Sequence, residues 1–245
     1  MTHRQNETAR ILTLSVGGPK QLGTRGAPNV MDRPWESSIF KTPTTERVQV
    51  HAEHIAGDSQ ADTKHHGGSD KAICVYPAAH YTYWAERLDR ELDVPAFGEN
   101  ICVTGQDEAS VYLGDVYRVG SALVQISQPR SPCWKLARRW RHKQLALWVQ
   151  QTGFTGWYLR VLEEGSIQRG DALELVERPA PELSIERVNI ARYGEEPDAE
   201  LLERLSTSAL LSSSWREALA RRLAKLSRYT HADETERLIG ENSDA

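Results

Sequence analysis

ENICVTG (residues 99–105), GDVYRVG (114–120) and SALVQIS (121–127) are three short runs in which β-branched, aromatic and polar residues follow one another between glycines. That composition suits a pleated, half-buried surface and is too short for stable helices. Gly120 and Ser121 make a hairpin turn between the last two runs. Outward from this centre, ILTLSV (11–16), ERVQV (46–50), AICVY (72–76), WYLRVLEEG (157–165) and DALELVER (171–178) read as further strands. Gly165 and Gly170 bound the turn region between the last two. Helices are few: one over about 77–92 with Pro77 at its first position, and one carrying Leu145, Trp148 and Val149 that stops at Gly153. Residues 1–178 are therefore expected to be mainly β, a β-barrel-like unit of about seven short strands with two or three helices. A doubly wound sheet is excluded, because helices do not alternate with strands.

At ERPAPELS (177–184) the character changes. Pro179 and Pro181 mark a linker, and residues 184–228 read as a small three-helix extension, so the fold class is α+β overall. Asp198 caps a helix bearing Leu201, Leu202 and Leu205. Ser214 and Glu217 have capping-box spacing before a stripe of Trp215, Leu219, Leu223 and Leu226. Residues 229–245 form a polar tail.

Composition bounds the function. The 245 residues are 39% hydrophobic, and 30 basic against 34 acidic residues leave a net charge of -4. No global field recruits nucleic acid or an anionic membrane, so the basic run Arg216, Arg221, Arg222, Lys225 and Arg228 reads as a solvated helix face. No apolar run is long enough to span a bilayer, and the polar opening MTHRQNETAR is not a signal peptide. Three cysteines without a Cys-x-x-Cys pair fit a reducing, cytoplasmic setting.

Chemistry concentrates in SQPRSPCWK (127–135). Pro129 takes the chain out of its strand and Pro132 stiffens the backbone before Cys133. Arg130 and Lys135 flank the thiol, and positive charge favours the thiolate that binds metals and attacks electrophiles. Cys74 and Cys102 sit in apolar runs and read as buried strand residues. A second cluster, ADTKHHGGSDKAI (61–73), offers His65, His66, Lys64 and Lys71 beside glycines that admit an anion to the backbone. In AFGENICV (96–103), Glu99 is an acid–base or turn-capping carboxylate. Arg160, between Leu159 and Val161, reads as a partner for phosphate or carboxylate, or as a snorkelling surface residue. No GxGxxG, P-loop or GxSxG motif is present.

In order and spacing, KHHGGSDKAICVYP (64–77), FGENICVTG (97–105), VYLGDVYRVG (111–120), SQPRSPCWKL (127–136) and TGWYLRVLEEG (155–165) resemble the MOSC family, in its YiiM-type branch. The resemblance implies a barrel-like domain and binding of molybdenum cofactor (molybdopterin). It puts Cys133 at the metal, Arg130, Lys71 and Arg160 near the cofactor phosphate with Lys64 and His65 assisting, and Asn100 at the pterin. It also implies reduction of N-hydroxylated compounds such as hydroxylamino purines, with His66 donating a proton and Glu99 orienting it. Electrons would come from a separate reductase. Two other functions remain open: a sulfur carrier using a Cys133 persulfide, and a non-enzymatic cofactor-binding or interaction module built on the helices.

Overall fold

The computed structural model describes residues 8–61 and 67–239, with side chains to residue 227. Lys64, His65 and His66 lie outside the described residues. In chain order the strands are β1 (Arg10–Val16), β2 (Lys20–Leu22), β3 (Trp35–Ser37), β4 (Thr42–Thr44), β5 (Val48–His51), β6 (His54–Ile55), β7 (Ile73–Pro77), β8 (Ile101–Thr104), β9 (Val116–Val119), β10 (Ala122–Pro129), β11 (Trp157–Glu163), β12 (Gly165–Ile167) and β13 (Leu173–Glu177). The helices are α1 (His80–Leu88), α2 (Trp134–Trp140), α3 (Leu145–Thr152), α4 (Ile185–Tyr193), α5 (Ala199–Thr207) and α6 (Ser213–Ile239).

Eight strands form one mixed sheet in the order β13-β9-β10-β11-β7-β8-β1-β4, parallel only between β7 and β8. The sheet curls on itself. Ile11 N donates to Asp171 O at 3.0 Å and Leu173 N to Ala9 O at 2.9 Å, so β1 reaches the chain just ahead of β13. One isolated bridge, Arg10 with Ala172, marks the meeting. The barrel is therefore incompletely closed, and the mainly β, α+β expectation holds with that qualification. Its interior is filled by Ile11, Leu14, Val75, Ile101, Val124, Ile126 and Leu159, with Ile11 and Leu14 brought to the same side by the register shift in β1.

Closure of this sheet depends on two local devices. Gly156 has φ +69°, and a Cβ there would lie 2.2 Å from Val75 O; only glycine lets β11 start so close to β7. Asn100 joins strands where the ladder is irregular. Its Oδ1 accepts from Cys74 N at 3.0 Å and its Nδ2 donates to Ser15 O at 3.3 Å.

Three details depart from expectation. Pro77 ends β7, paired with Val103, and α1 begins only at His80. β10 continues through Pro129, which pairs with Trp157 across a register shift between Ile126 and Gln128. α6 is capped by Ser212, whose Oγ accepts from Trp215 N at 3.4 Å, instead of by Ser214. Ser212 N is itself tied to Ser127 O of β10 at 3.2 Å, which sets where the chain turns into the helix. The last three helices share a core with Leu113, Ala180 and Leu183, so the proline-containing linker is packed and the helical unit sits against the sheet.

Candidate functional site

Cys133 stands where β10 ends and α2 begins. It is the N-cap residue of α2, in extended conformation, and its side chain makes no capping bond. Cys133 is partly exposed, whereas Cys74 and Cys102 are buried. Two pockets meet at this point. A narrow one of about 50 Å³ runs inward past Cys74, Asn100 and Arg130. A wide cleft of about 960 Å³ opens outward between Trp35, Gln128, Arg192 and Trp215. Ala61, Cys133, Lys135 and Tyr158 line both. The larger volume is of the size that accepts a cofactor or a drug-sized ligand.

The charge of this site is one-sided. Lys71, Lys135, Arg138 and Arg192 line the wide cleft, with Glu36 the only carboxylate among its described lining residues. In the narrow pocket Lys41 is neutralised by a buried ion pair with Asp58. Arg130 is not: it is 9% exposed, and no side-chain hydrogen bond or ion pair to another described residue satisfies its guanidinium. Burial alone would depress its pKa, but the neighbouring Cys74, Tyr158 and Cys133 groups outweigh that and hold it above the ordinary arginine value. A buried, permanently charged guanidinium without a carboxylate suits an anion.

Burial raises the Cys74 thiol, an effect Arg130 offsets in part. Tyr158 is likewise pushed up by burial and then by Cys74. Both are therefore neutral donors at physiological pH. Trp134, 51% exposed, sits beside Cys133 with its ring 5.7 Å from that of Trp35 and 4.6 Å from the Arg138 guanidinium. This gives the rim an aromatic, cationic surface.

The structure distributes the sequence candidates unequally. Cys133, Arg130, Asn100 and Lys71 line one or other pocket. Asn100 does so with its amide already spent on Cys74 N and Ser15 O, which makes it first a strand connector. Glu99 is withdrawn from the site. It is fully buried, accepts from Phe97 N at 2.9 Å and from the Tyr81 hydroxyl, and is not among the lining residues of either pocket. Arg160 is also elsewhere. Its guanidinium binds Asp70 at 2.9 Å, Gln125 Oε1 at 3.2 Å and Leu210 O at 3.1 Å, so its two terminal nitrogens fasten the helical unit to β11, while Nε has no partner among the described residues. Tyr158, Gln128, Arg192 and Trp215 belong to the site and were not singled out in the sequence. Only the fold brings β10, β11, α4 and α6 together around Cys133, and no local motif announces that.

No described helix is long and apolar enough to cross a membrane. Residues 62–174 match the family described as MOSC domain, and residues 183–226 match the YiiM-like, 3-alpha helix domain. The chain is 42% identical over 222 residues to YflK of Bacillus subtilis, covering 91% of this chain and 98% of that protein. It superposes on the crystal structure of YiiM from Geobacillus stearothermophilus with a TM-score of 0.73 at 40% identity, covering 88% of this chain and 99% of that one. A protein named reductase from Gibberella moniliformis is 36% identical over 163 residues, 64% of this chain but 29% of that longer protein. With the half-closed sheet, the packed helical unit and the cysteine between them, these likenesses identify the chain as a member of the MOSC family with a YiiM-like three-helix domain.

Proposed function

We propose that the chain holds molybdenum cofactor in the joined pockets, with Cys133 as the protein's ligand to the metal, and reduces N-hydroxylated compounds such as hydroxylamino purines to amines. The observation that carries this reading is the position of Cys133, a partly exposed cysteine where a narrow cationic pocket meets a cleft of about 960 Å³. The residues fit the group. Arg130 and Lys135 offer charge to its phosphate, and a soft thiolate suits the metal; the lining residues Ser38, Gln128 and Trp215 each carry a buried polar atom without a partner among the described residues. Among the described residues no group of His, Cys, Asp or Glu is arranged to bind a metal ion, so the remaining ligands would come with the cofactor. The reductase name of the fungal relative agrees with redox chemistry.

Bound cofactor supplies the electron-pair chemistry that no side chain here can perform. The chain's own residues do the rest. Tyr158 and Trp215 wall the cleft with apolar surface and keep water from the reacting bond. Arg130 and Lys135 orient the anionic end. Cleavage of the N–O bond takes up an electron pair and protons and releases the oxygen as water, so a proton donor is required. The family resemblance gives that role to His66, which lies outside the described residues. Glu99, buried and bonded to Phe97 N and the Tyr81 hydroxyl, is left out of the proposed chemistry. Electrons would come from a separate reductase or a small reductant.

Protein from a cofactor-competent host is expected to carry about one molybdenum per chain and to convert a hydroxylamino purine to the amine. Cys133→Ala is expected to lose both while unfolding at the same temperature. Full turnover by Cys133→Ala would reject the ligand assignment. Cyanide-labile sulfur without metal in the native protein would favour the persulfide carrier instead.

A further inference from the structure

The helical unit carries a groove of its own, about 550 Å³ in volume, that the proposed chemistry does not use. Arg192 and Tyr193 of α4 and Arg221, Arg222, Lys225 and Leu226 of α6 line it, and no carboxylate is among its described lining residues. The cations differ in what holds them. Arg222 is spent on the carbonyls of Arg192 and Gly194. Arg221 and Lys225, one helical turn apart, are exposed. Arg221 meets Glu217 at 3.7 Å with both side chains 69% exposed, a pairing too open to water to neutralise it. Glu195 and Glu196, just before Pro197, are exposed but are not among the lining residues. The groove adjoins the site through Arg192, which lines both the groove and the wide cleft. Arg192 Nη1 donates to Ser131 Oγ at 3.2 Å, and the Tyr193 hydroxyl donates to the same oxygen at 3.4 Å. Ser131 lines the cleft two residues before Cys133, so a body seated in the groove is one layer of side chains from the cysteine's own segment.

We infer that this groove docks the electron donor, a small carrier protein with a flavin or iron–sulfur centre, through an acidic patch on that protein's surface. The inference rests on the reductase reading and adds where, and by what charge, the donor binds. Each N–O bond cleaved takes up an electron pair and two protons and leaves an amine and water; the electrons come from the reduced carrier, which departs oxidised. Charge selects the class of partner. Arg221 and Lys225 stand about 6 Å apart at their Cβ atoms, room for a few carboxylates and too few cations to follow a nucleic-acid backbone. Apolar contact comes from Leu226 and Tyr193 between the charges. The three-helix unit thereby gains a part in turnover beyond closing the cleft.

The test uses the full, cofactor-loaded chain with two reductants: reduced flavodoxin, a small acidic flavin carrier, and reduced methyl viologen, a small cation that needs no docking face. Arg221→Glu/Lys225→Glu is expected to raise KM for flavodoxin about tenfold at low ionic strength and to leave turnover with methyl viologen unchanged. Arg221→Lys/Lys225→Arg, which keeps both charges, is expected to match the native chain. Calorimetric titration with oxidised flavodoxin needs no turnover; it is expected to show binding by the native chain that salt weakens and that the folded charge-reversed chain lacks. Absence of that binding at low salt would overturn the inference. So would a flavodoxin KM and affinity that survive charge reversal, or duplex DNA bound as tightly as flavodoxin through the same two residues. A chain idle with methyl viologen would reject the reductase reading, with the titration still deciding the docking face; a chain active with methyl viologen but indifferent to charge reversal would sink the docking face alone.

Discussion

Cys133, Cys74 and Cys102 share a functional group and differ in surroundings. Cys133 is partly exposed at the pocket junction, while the other two are buried and burial pushes both of their thiols up. A raised thiol pKa means less thiolate at any given pH, so at pH 8 these two stay protonated and unreactive. Iodoacetamide at pH 8 is therefore expected to label the folded, cofactor-free chain quickly at Cys133 alone, and the folded Cys133→Ala chain is expected to stay unlabelled until it is denatured. Rapid labelling of Cys74 would contradict the burial argument. Cys133 was legible in the sequence because its cues are local: prolines on one side, Arg130 and Lys135 in reach. The separation of Glu99 from Asn100 was not, because both lie in the loop before β8 and only tertiary contacts, Tyr81 and Phe97 for the one and Cys74 and Ser15 for the other, set which meets the pocket.

At the scale of elements, the strands with long apolar alternation, β1, β7, β10 and β11, could be read directly. β2, β3 and β4 could not: each spans three residues, too few for periodicity to show. α2 was missed for a similar reason, since its seven residues, WKLARRW, mix cations and aromatics without a clear apolar stripe. Arg160 shows what element packing decides. Read alone it is a phosphate ligand; in the fold it ties β11 to Asp70, Gln125 and Leu210. Arg160→Met is expected to cost about 1–3 kcal/mol in urea unfolding, by loss of charge-assisted hydrogen bonds, with cofactor loading unchanged under native conditions. Loss of loading without loss of stability would return Arg160 to the site. Gly156→Ala tests the junction of β7 and β11. With φ +69° and a carbonyl 2.2 Å from the added methyl, destabilisation of about 3 kcal/mol or more is expected from strain and clash together, seen as a fall in the thermal unfolding midpoint. An unchanged midpoint would mean the strands can part without cost.

The whole molecule explains why the site is assembled from distant segments. The curled sheet carries Tyr158 and Gln128 to one end, α2 raises Cys133 and Lys135 beside them, and the helical unit closes the side with Arg192 and Trp215. Ser212, bonded to Ser127 O, and Arg160 hold that closure in place. The change in character at residues 177–184 was visible as a linker; that Ala180 and Leu183 are buried with the helices depends on long-range packing that composition does not reveal. The basic run on α6 likewise divides in the fold. Arg222 bonds the carbonyls of Arg192 and Gly194, while Arg221 faces Glu217 at 3.7 Å.

The central claim is that Cys133 is the protein's ligand to molybdenum. X-ray absorption at the molybdenum edge, on native protein and on Cys133→Ser loaded with the same cofactor, tests it most directly. The account expects the native spectrum to show one sulfur neighbour more than the variant, because an alcohol is a poorer ligand than a thiolate for a soft site. An identical sulfur count in the two proteins would contradict it.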